Sequence, residues 1–239
     1  MRIAPSILAL ALTLPALAVP AQGIADVLLR SQQMRLARFD VADPQRDEAQ
    51  RIRATLARLN TAAAAQGLPP VALVLVDGGL FAEAQFGRPA VAVSLGVGQL
   101  PEGERTMMLA HEMGHVHLGH WQALRALYTH HIPGEVRPET TDQVSAELGR
   151  AAHVQSHQHE LAADAFGFEL LLSLGFDVND ACSLLTRNGM QYDTATHPAT
   201  RKRVAQLRML DEQHHAPAVA VAAPQANALF SSSSLSPGR

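Results

Sequence analysis

The sequence is poor in cysteine, in aromatic residues and in net charge. Its 239 residues contain one Cys, and Phe, Trp and Tyr together make up 4%. A single Cys excludes an intramolecular disulfide scaffold and a zinc ribbon held by several thiolates. The net charge is −3, without a basic stretch, which argues against binding of nucleic acid through its phosphates.

Apolar runs of the length needed to span a bilayer, about 20 residues, are also missing. Residues 1–21 begin with a positive charge at Arg2, continue with a short apolar run over 7–17, and end in small residues. This pattern is typical of a cleaved secretory signal peptide, with Ala18 or Ala21 as the last residue removed. A membrane anchor is the alternative, and a lipid anchor is excluded because no Cys lies nearby. We therefore expect an exported protein, periplasmic or secreted, with no transmembrane segment in the mature chain.

Histidine, in contrast, is abundant. Twelve His residues exceed the seven Phe, two Tyr and one Trp together, and this surplus reflects either surface residues or metal chemistry. The length and the 47% apolar content suit one domain with a sizeable core. We place that domain at 22–212, followed by an Ala-, Pro- and Ser-rich tail at 213–239 that is predicted to be disordered.

The periodicity predicts a mainly helical α+β fold with a small sheet. Residues 24–66 have a helical pattern that restarts at Asp43-Pro44, and the later part carries one apolar stripe. A buried strand is predicted at 71–76 and a second strand at 90–95, which we expect at an exposed sheet edge beside the helix that follows it. The remaining predicted helices run from Glu102 past Trp121 and over 135–152, 157–174, 178–187 and 198–210.

The strongest motif is His111-Glu112-Met113-Gly114-His115, an HExxH sequence inside a predicted helix. Spacing by four residues places His111 and His115 on one face, where both rings can bind one Zn²⁺. Glu112 can reach water activated by that ion and act as general base. A surface helix with two chance histidines is the alternative, and the apolar or small neighbours argue against it.

A catalytic zinc site takes three protein ligands, so a third is expected from another element. Glu160 and Asp164 lie one helical turn apart in the sequence His159-Glu160-Leu161-Ala162-Ala163-Asp164. Glu160 is the candidate ligand. Asp164 is expected to accept a hydrogen bond from the free imidazole nitrogen of a ligand His and so to orient its ring. By itself a Glu-x-x-x-Asp pair is common on solvated helix faces.

Together with His197-Pro198 and Arg203, these segments resemble the HtpX-type gluzincin peptidases, which are relatives of the CAAX prenyl proteases. The similarity extends over about Val71 to Leu210. It implies a zincin-like metallopeptidase domain with one Zn²⁺ per chain and protein substrates. It also implies His111, His115 and Glu160 as ligands, with Glu112 as the base.

The chain departs from the family pattern in three ways. It lacks the transmembrane helices of the integral members, which indicates the soluble exported branch. The Asn-Ala pair often found before the edge strand is replaced around Leu80–Ala84, and the connection from His115 to Glu160 is compact. The last two differences affect the shape of the cleft.

Several other residues have open roles. His197 is either a catalytic residue that donates to the oxyanion, a reversible extra ligand, or an ordinary loop residue, and Tyr192 ranks below it. Arg203 is expected to pair with a buried carboxylate. His117 and His120 are expected in packing behind the ligands or in solvent. The residues expected at the surface are His130, His131, His153, His157, His159, His214 and His215, whereas Cys182 is expected in the core.

The pattern therefore predicts a zinc-dependent endopeptidase, with the zinc-activated water deprotonated by Glu112. Its expected substrates are extended or misfolded proteins of the cell envelope, which would pair with the edge strand. The first alternative is a zinc-containing, chaperone-like protein that binds clients with little or no turnover. A hydrolase of small substrates is a third reading, and it predicts a closed pocket.

Overall fold

The structure, a computed structural model, describes residues 23–216. The predicted signal peptide and most of the predicted tail lie outside this range. The described chain forms a mainly helical α+β fold, as predicted. Its elements are α1 (Ile24–Leu36), α2 (Asp47–Ala65), β1 (Ala72–Val76), β2 (Ala82–Ala84), β3 (Ala90–Ser94), a 3₁₀ turn (Leu95–Gln99), α3 (Glu102–His117), α4 (His120–His131), α5 (Pro138–Thr141), α6 (Ser145–Ser173), α7 (Val178–Thr186) and α8 (Thr200–His215).

Helix α2 buries the apolar stripe that its periodicity predicts. The stripe residues Ile52, Leu56, Leu59 and Ala63 are all buried. The helix starts at Asp47, later than the predicted restart at Asp43, because the Asp43 carbonyl instead accepts the Arg46 N–H in a turn (3.3 Å).

The sheet has the order β1-β3-β2, which corrects two predictions. Strand β1, predicted to be buried, is an edge strand in which only Val76 is buried. Strand β3 is central: it runs parallel to β1 and antiparallel to β2. All five residues of β3 are buried, as a continuous apolar run between two neighbours requires. The edge strand that packs on α3 is β2, and its three residues are too few to give a recognisable alternation in the sequence.

Two predicted helix boundaries are also wrong. The helix predicted from Glu102 past Trp121 is interrupted at Gly119, whose φ of 67° lies in the left-handed region that favours glycine. The helices predicted at 135–152 and 157–174 are instead the single helix α6, preceded by the short α5, since no Gly or Pro separates them. Helix α8 continues to His215, past the predicted domain end.

Helix α3 is held between the sheet and α6. At the crossing, a Cβ on Gly167 of α6 would lie 2.9 Å from the backbone nitrogen of His111, so only glycine permits this close approach. One apolar cluster joins α2, the sheet, α3 and α6, and a second joins α3, α6, α7 and α8 and includes Cys182. This packing fixes the orientation of α3 and therefore the positions of His111, Glu112 and His115.

Over residues 23–216, none of the helices combines the length and apolar character needed to cross a membrane.

Candidate metal centre

Three potential ligand atoms converge between α3 and α6. The Nε2 atoms of His111 and His115 lie 3.1 Å apart. The carboxylate of Glu160 approaches both rings, with 3.5 Å from Oε2 to His111 Nε2 and 3.3 Å from Oε1 to His115 Nε2. Ligands about 2.0–2.1 Å from one tetrahedral zinc ion lie about 3.3 Å from each other. The spacing therefore fits a zinc ion held by two imidazoles and one carboxylate.

Glu160 supplies an independent test of that fit. Its Oε2 is buried and makes no hydrogen bond within the described residues, although Arg203 Nη1 lies 3.5 Å away. A buried oxygen without a hydrogen bond costs free energy unless a further partner binds there. Burial alone would raise the pKa of Glu160, but the adjacent rings of His111 and His115 outweigh burial and hold that pKa well below its usual range. An ionised carboxylate beside two ring nitrogens is a donor set that suits zinc, and within residues 23–216 these three side chains form a group able to hold a metal.

A buried carboxylate orients the ring of His111. The Nδ1 of His111 lies 3.0 Å from Asp164 Oδ1, which leaves Nε2 facing the proposed zinc position. Arg203 binds both oxygens of Asp164, each at 2.6 Å, and so pairs with a buried carboxylate as predicted. Burial alone would raise the pKa of Asp164, but the hydrogen bonds from Arg203 and His111 outweigh it and lower that pKa.

A second histidine orients His115. The Nδ1 atoms of His115 and His120 are 2.8 Å apart, and the His120 ring stacks on His159 with a centroid distance of 4.0 Å. Burial lowers the pKa of His120 to about 3, and the adjacent His115 and His159 reinforce the effect. His120 is therefore neutral at neutral pH and can accept the Nδ1 proton of His115.

Glu112 lies between the ligands and the edge strand. Its Oε2 accepts the backbone N–H of Ala84 in β2 at 2.7 Å. Burial raises the pKa of Glu112 above its usual value, although the neighbouring rings of His111 and His115 oppose this. A carboxylate with a raised pKa is better suited to accept a proton and to release it again.

The three potential ligands and Glu112 line a cleft of about 620 Å³. The edge strand β2 forms one side of the cleft. Close to it, Phe86 stacks on Trp121 with a ring-centroid distance of 4.2 Å and makes an apolar surface. His197 lies at the rim. An extended chain placed along β2 would pass directly beside Glu112 and the three ligands.

Comparison with known families decides the assignment. A model of peptidase family M48 matches residues 46–211. The chain belongs to peptidase family M48. The membership supports metallopeptidase activity on protein substrates, and the His-His-Glu group is compatible with the zinc that these peptidases generally use. No curated protein and no solved structure was found to match. Helix α1 precedes the residues matched to the M48 family.

The loop before α8 contains the candidate residues Tyr192 and His197, and only His197 lies at the site of this M48 peptidase. The Nε2 of His197 lies 3.6 Å from Glu160 Oε2, and its side chain is 56% exposed. His153 and His157 approach the loop carbonyls of residues 195 and 194, at 3.2 and 2.9 Å. Tyr192 is 90% exposed and does not line the cleft.

Some histidines predicted at the surface are partly buried instead. His153, His157 and His159 lie on the long helix α6, where they contact the loop or the ring of His120. His120 takes the first of its two predicted places, packed behind a ligand, but the continuous helix predicted through Gly119 does not indicate its contact with His115. A glycine at that position is the only local signal of the turn that brings His120 behind His115.

Proposed function

We propose that this M48 chain is a zinc endopeptidase that cleaves extended or misfolded proteins. The observation that carries the proposal is the convergence of His111, His115 and Glu160 within 3.1–3.5 Å of one another, in a cleft that also contains Glu112 and the edge strand β2.

Each residue of the site has its own role in the proposed hydrolysis. His111, His115 and Glu160 would hold one zinc ion, which when bound polarises the scissile carbonyl and lowers the pKa of water. Glu112 accepts the proton of the attacking water and passes it to the leaving amine. His197 at the rim would donate a hydrogen bond to the developing oxyanion, act as a reversible extra ligand, or serve only as a loop residue.

The direction of the backbone groups in β2 supports the proposal that the substrate is extended. In the antiparallel ladder, Phe81 and Gln85 bond to β3, so the alternate residues Ala82 and Ala84 direct their backbone groups away from it. A peptide in extended conformation can add there through main-chain hydrogen bonds. Because such pairing needs an exposed backbone, it favours unfolded or misfolded chains over folded ones.

The location of these substrates rests on the predicted signal peptide. We propose that the chain is exported, to the periplasm or beyond, and acts in protein quality control of the cell envelope. Fractionation of cells that produce the full chain checks this, with a mature protein that lacks residues 1–21 expected outside the cytoplasm.

The decisive experiment is Glu112→Gln in zinc-loaded protein. The variant should retain one zinc per chain but lose cleavage of casein by about a hundredfold or more, because the proton acceptor is removed while the ligands stay. Glu102→Gln, in the exposed first turn of the same helix, serves as the matched control and should cleave at the wild-type rate. Cleavage by Glu112→Gln at that rate would overturn the mechanism.

A chaperone-like binding protein would behave differently in the same assay. Wild-type protein would protect a misfolding client from aggregation, and no fragments sensitive to a chelator would form. That result would replace the endopeptidase proposal with the binding function.

A further inference from the structure

A side chain from helix α1 occupies the edge of β2 that faces away from β3. The amide of Gln32 donates from Nε2 to the carbonyl of Ala84 at 2.9 Å and accepts the N–H of Phe86 at 2.7 Å. Gln32 is only 3% exposed. A side-chain amide in this position reproduces the donor and acceptor that a neighbouring strand would offer.

This is the same edge to which a substrate strand would pair. The N–H of Ala84 is already bonded to Glu112, and its carbonyl is bonded to Gln32. With Phe86 N–H also taken, three consecutive outward groups of the edge are satisfied by side chains. A peptide cannot form these main-chain bonds until the side chains release them.

The first two turns of helix α1 pack in a small apolar cluster with α4 and α6, and the rest of the helix is held by few buried contacts. Of its 13 residues, only Ile24 and Gln32 are buried, whereas ten residues of α3 are buried. An ion pair between Arg35 and Glu83 adds a further link, but the Arg35 side chain is 51% exposed, so the pair contributes little. Segments with few buried apolar contacts open at low free-energy cost.

We propose that α1 is an autoinhibitory strap, in which Gln32 occupies the substrate position on β2 and an extended substrate displaces it. The inference rests on the proposed function, because it takes the β2 edge as the place where substrate binds. It goes beyond that function by assigning control of access to a helix that lies outside the residues matched to the M48 family. The expected consequence is that weakening Gln32 improves substrate binding.

The test compares Gln32→Met with Gln33→Met. Methionine keeps the length of the side chain but cannot form the two hydrogen bonds, and Gln33 is its exposed neighbour on the same helix. Both changes are made in zinc-loaded Glu112→Gln protein, and binding of a fluorescein-labelled casein peptide is measured by anisotropy. We expect the dissociation constant to fall about tenfold for Gln32→Met and to stay unchanged for Gln33→Met.

The same variants, made in protein with Glu112 intact, show whether tighter substrate binding also changes the kinetics of casein cleavage. KM for casein should fall for Gln32→Met, with kcat changed little. If Gln32 instead shapes the edge for substrate, Gln32→Met should bind the casein peptide more weakly. Weaker or unchanged binding would overturn the proposal. Tighter binding without casein cleavage by any variant would contradict the endopeptidase function and leave the strap supported.

Hydrogen exchange tests the proposal without a change at residue 32, and so remains informative if Gln32→Met fails to fold. In zinc-loaded Glu112→Gln protein, the casein peptide should speed amide exchange in α1 and slow it in β2. Unchanged or slower exchange in α1 would overturn the proposal without any change at residue 32.

Discussion

Behind each histidine that faces the proposed zinc position lies a side chain that fixes the orientation of its ring. For His111 the partner is Asp164, itself held by Arg203. For His115 the partner is His120, neutral because burial lowers its pKa to about 3. Such partners keep the metal-binding nitrogen in its acceptor form. Zinc affinity should therefore depend on residues that never touch the ion.

The change His120→Phe tests this dependence. Phenylalanine keeps a flat ring against His159 but removes the acceptor for His115 Nδ1. We expect zinc affinity to fall about tenfold to a hundredfold, measured by competition with a chromogenic chelator. The control is His130→Phe, an exposed position on the same helix, which should bind zinc like wild type. Equal affinity in the two variants would show that His120 does not position His115.

At the residue scale, the sequence predicts contacts between residues that belong to the same helix. His111 and His115, or Glu160 and Asp164, share a face because residues four apart do so in any α-helix. The contact between His115 and His120 crosses the break at Gly119, and Gln32 reaches β2 across 52 positions. Neither spacing corresponds to a periodicity, so tertiary packing alone brings these residues together.

At the scale of elements, the site depends on how closely α3 and α6 approach. Gly167→Ala places a methyl group 2.9 Å from the backbone nitrogen of His111. We expect a loss of about 1–3 kcal/mol in the free energy of unfolding, and weaker zinc binding because Glu160 moves away with α6. Urea denaturation and zinc titration measure the two effects.

Gly149→Ala on the same helix provides the control. No atom lies within 4 Å of the position that its Cβ would take, so replacing a helical glycine should stabilise the protein by up to about 1 kcal/mol. Its zinc affinity should not change. A Gly167→Ala variant as stable as Gly149→Ala, with unchanged zinc affinity, would mean that the helix crossing tolerates an extra methyl group.

The elements themselves were predicted unevenly. The apolar stripe of α2 follows a helical periodicity and β1 follows an unbroken apolar run, and both elements formed near the predicted residues. The prediction that β1 is buried is wrong, because β1 lies at an edge of the sheet. Strand β3 was recognised but assigned to the edge, because a buried apolar run alone does not show how many neighbours it has. The edge strand beside the site, β2, is stabilised by pairing with β3 and by contacts from α1 and α3 rather than by its own three residues.

At the scale of the whole molecule, zinc would join α3 and α6 in a chain that contains one cysteine and therefore no internal disulfide. An ion that binds only the folded state stabilises it by about 2.7 kcal/mol at a hundredfold excess over its dissociation constant. For a chain of this size that corresponds to a rise in Tm of about 5–10 °C. Removal of zinc with a chelator should lower Tm by this amount.

Differential scanning calorimetry can separate this effect from other actions of the chelator. Added zinc should restore the wild-type Tm, whereas magnesium should not, because a site with two imidazoles and one carboxylate does not suit that ion. A His115→Ala variant should show a low Tm that neither chelator nor zinc changes. If zinc leaves the wild-type protein completely while Tm stays constant, the ion is not a structural link between the two helices, and its role is limited to the chemistry beside Glu112.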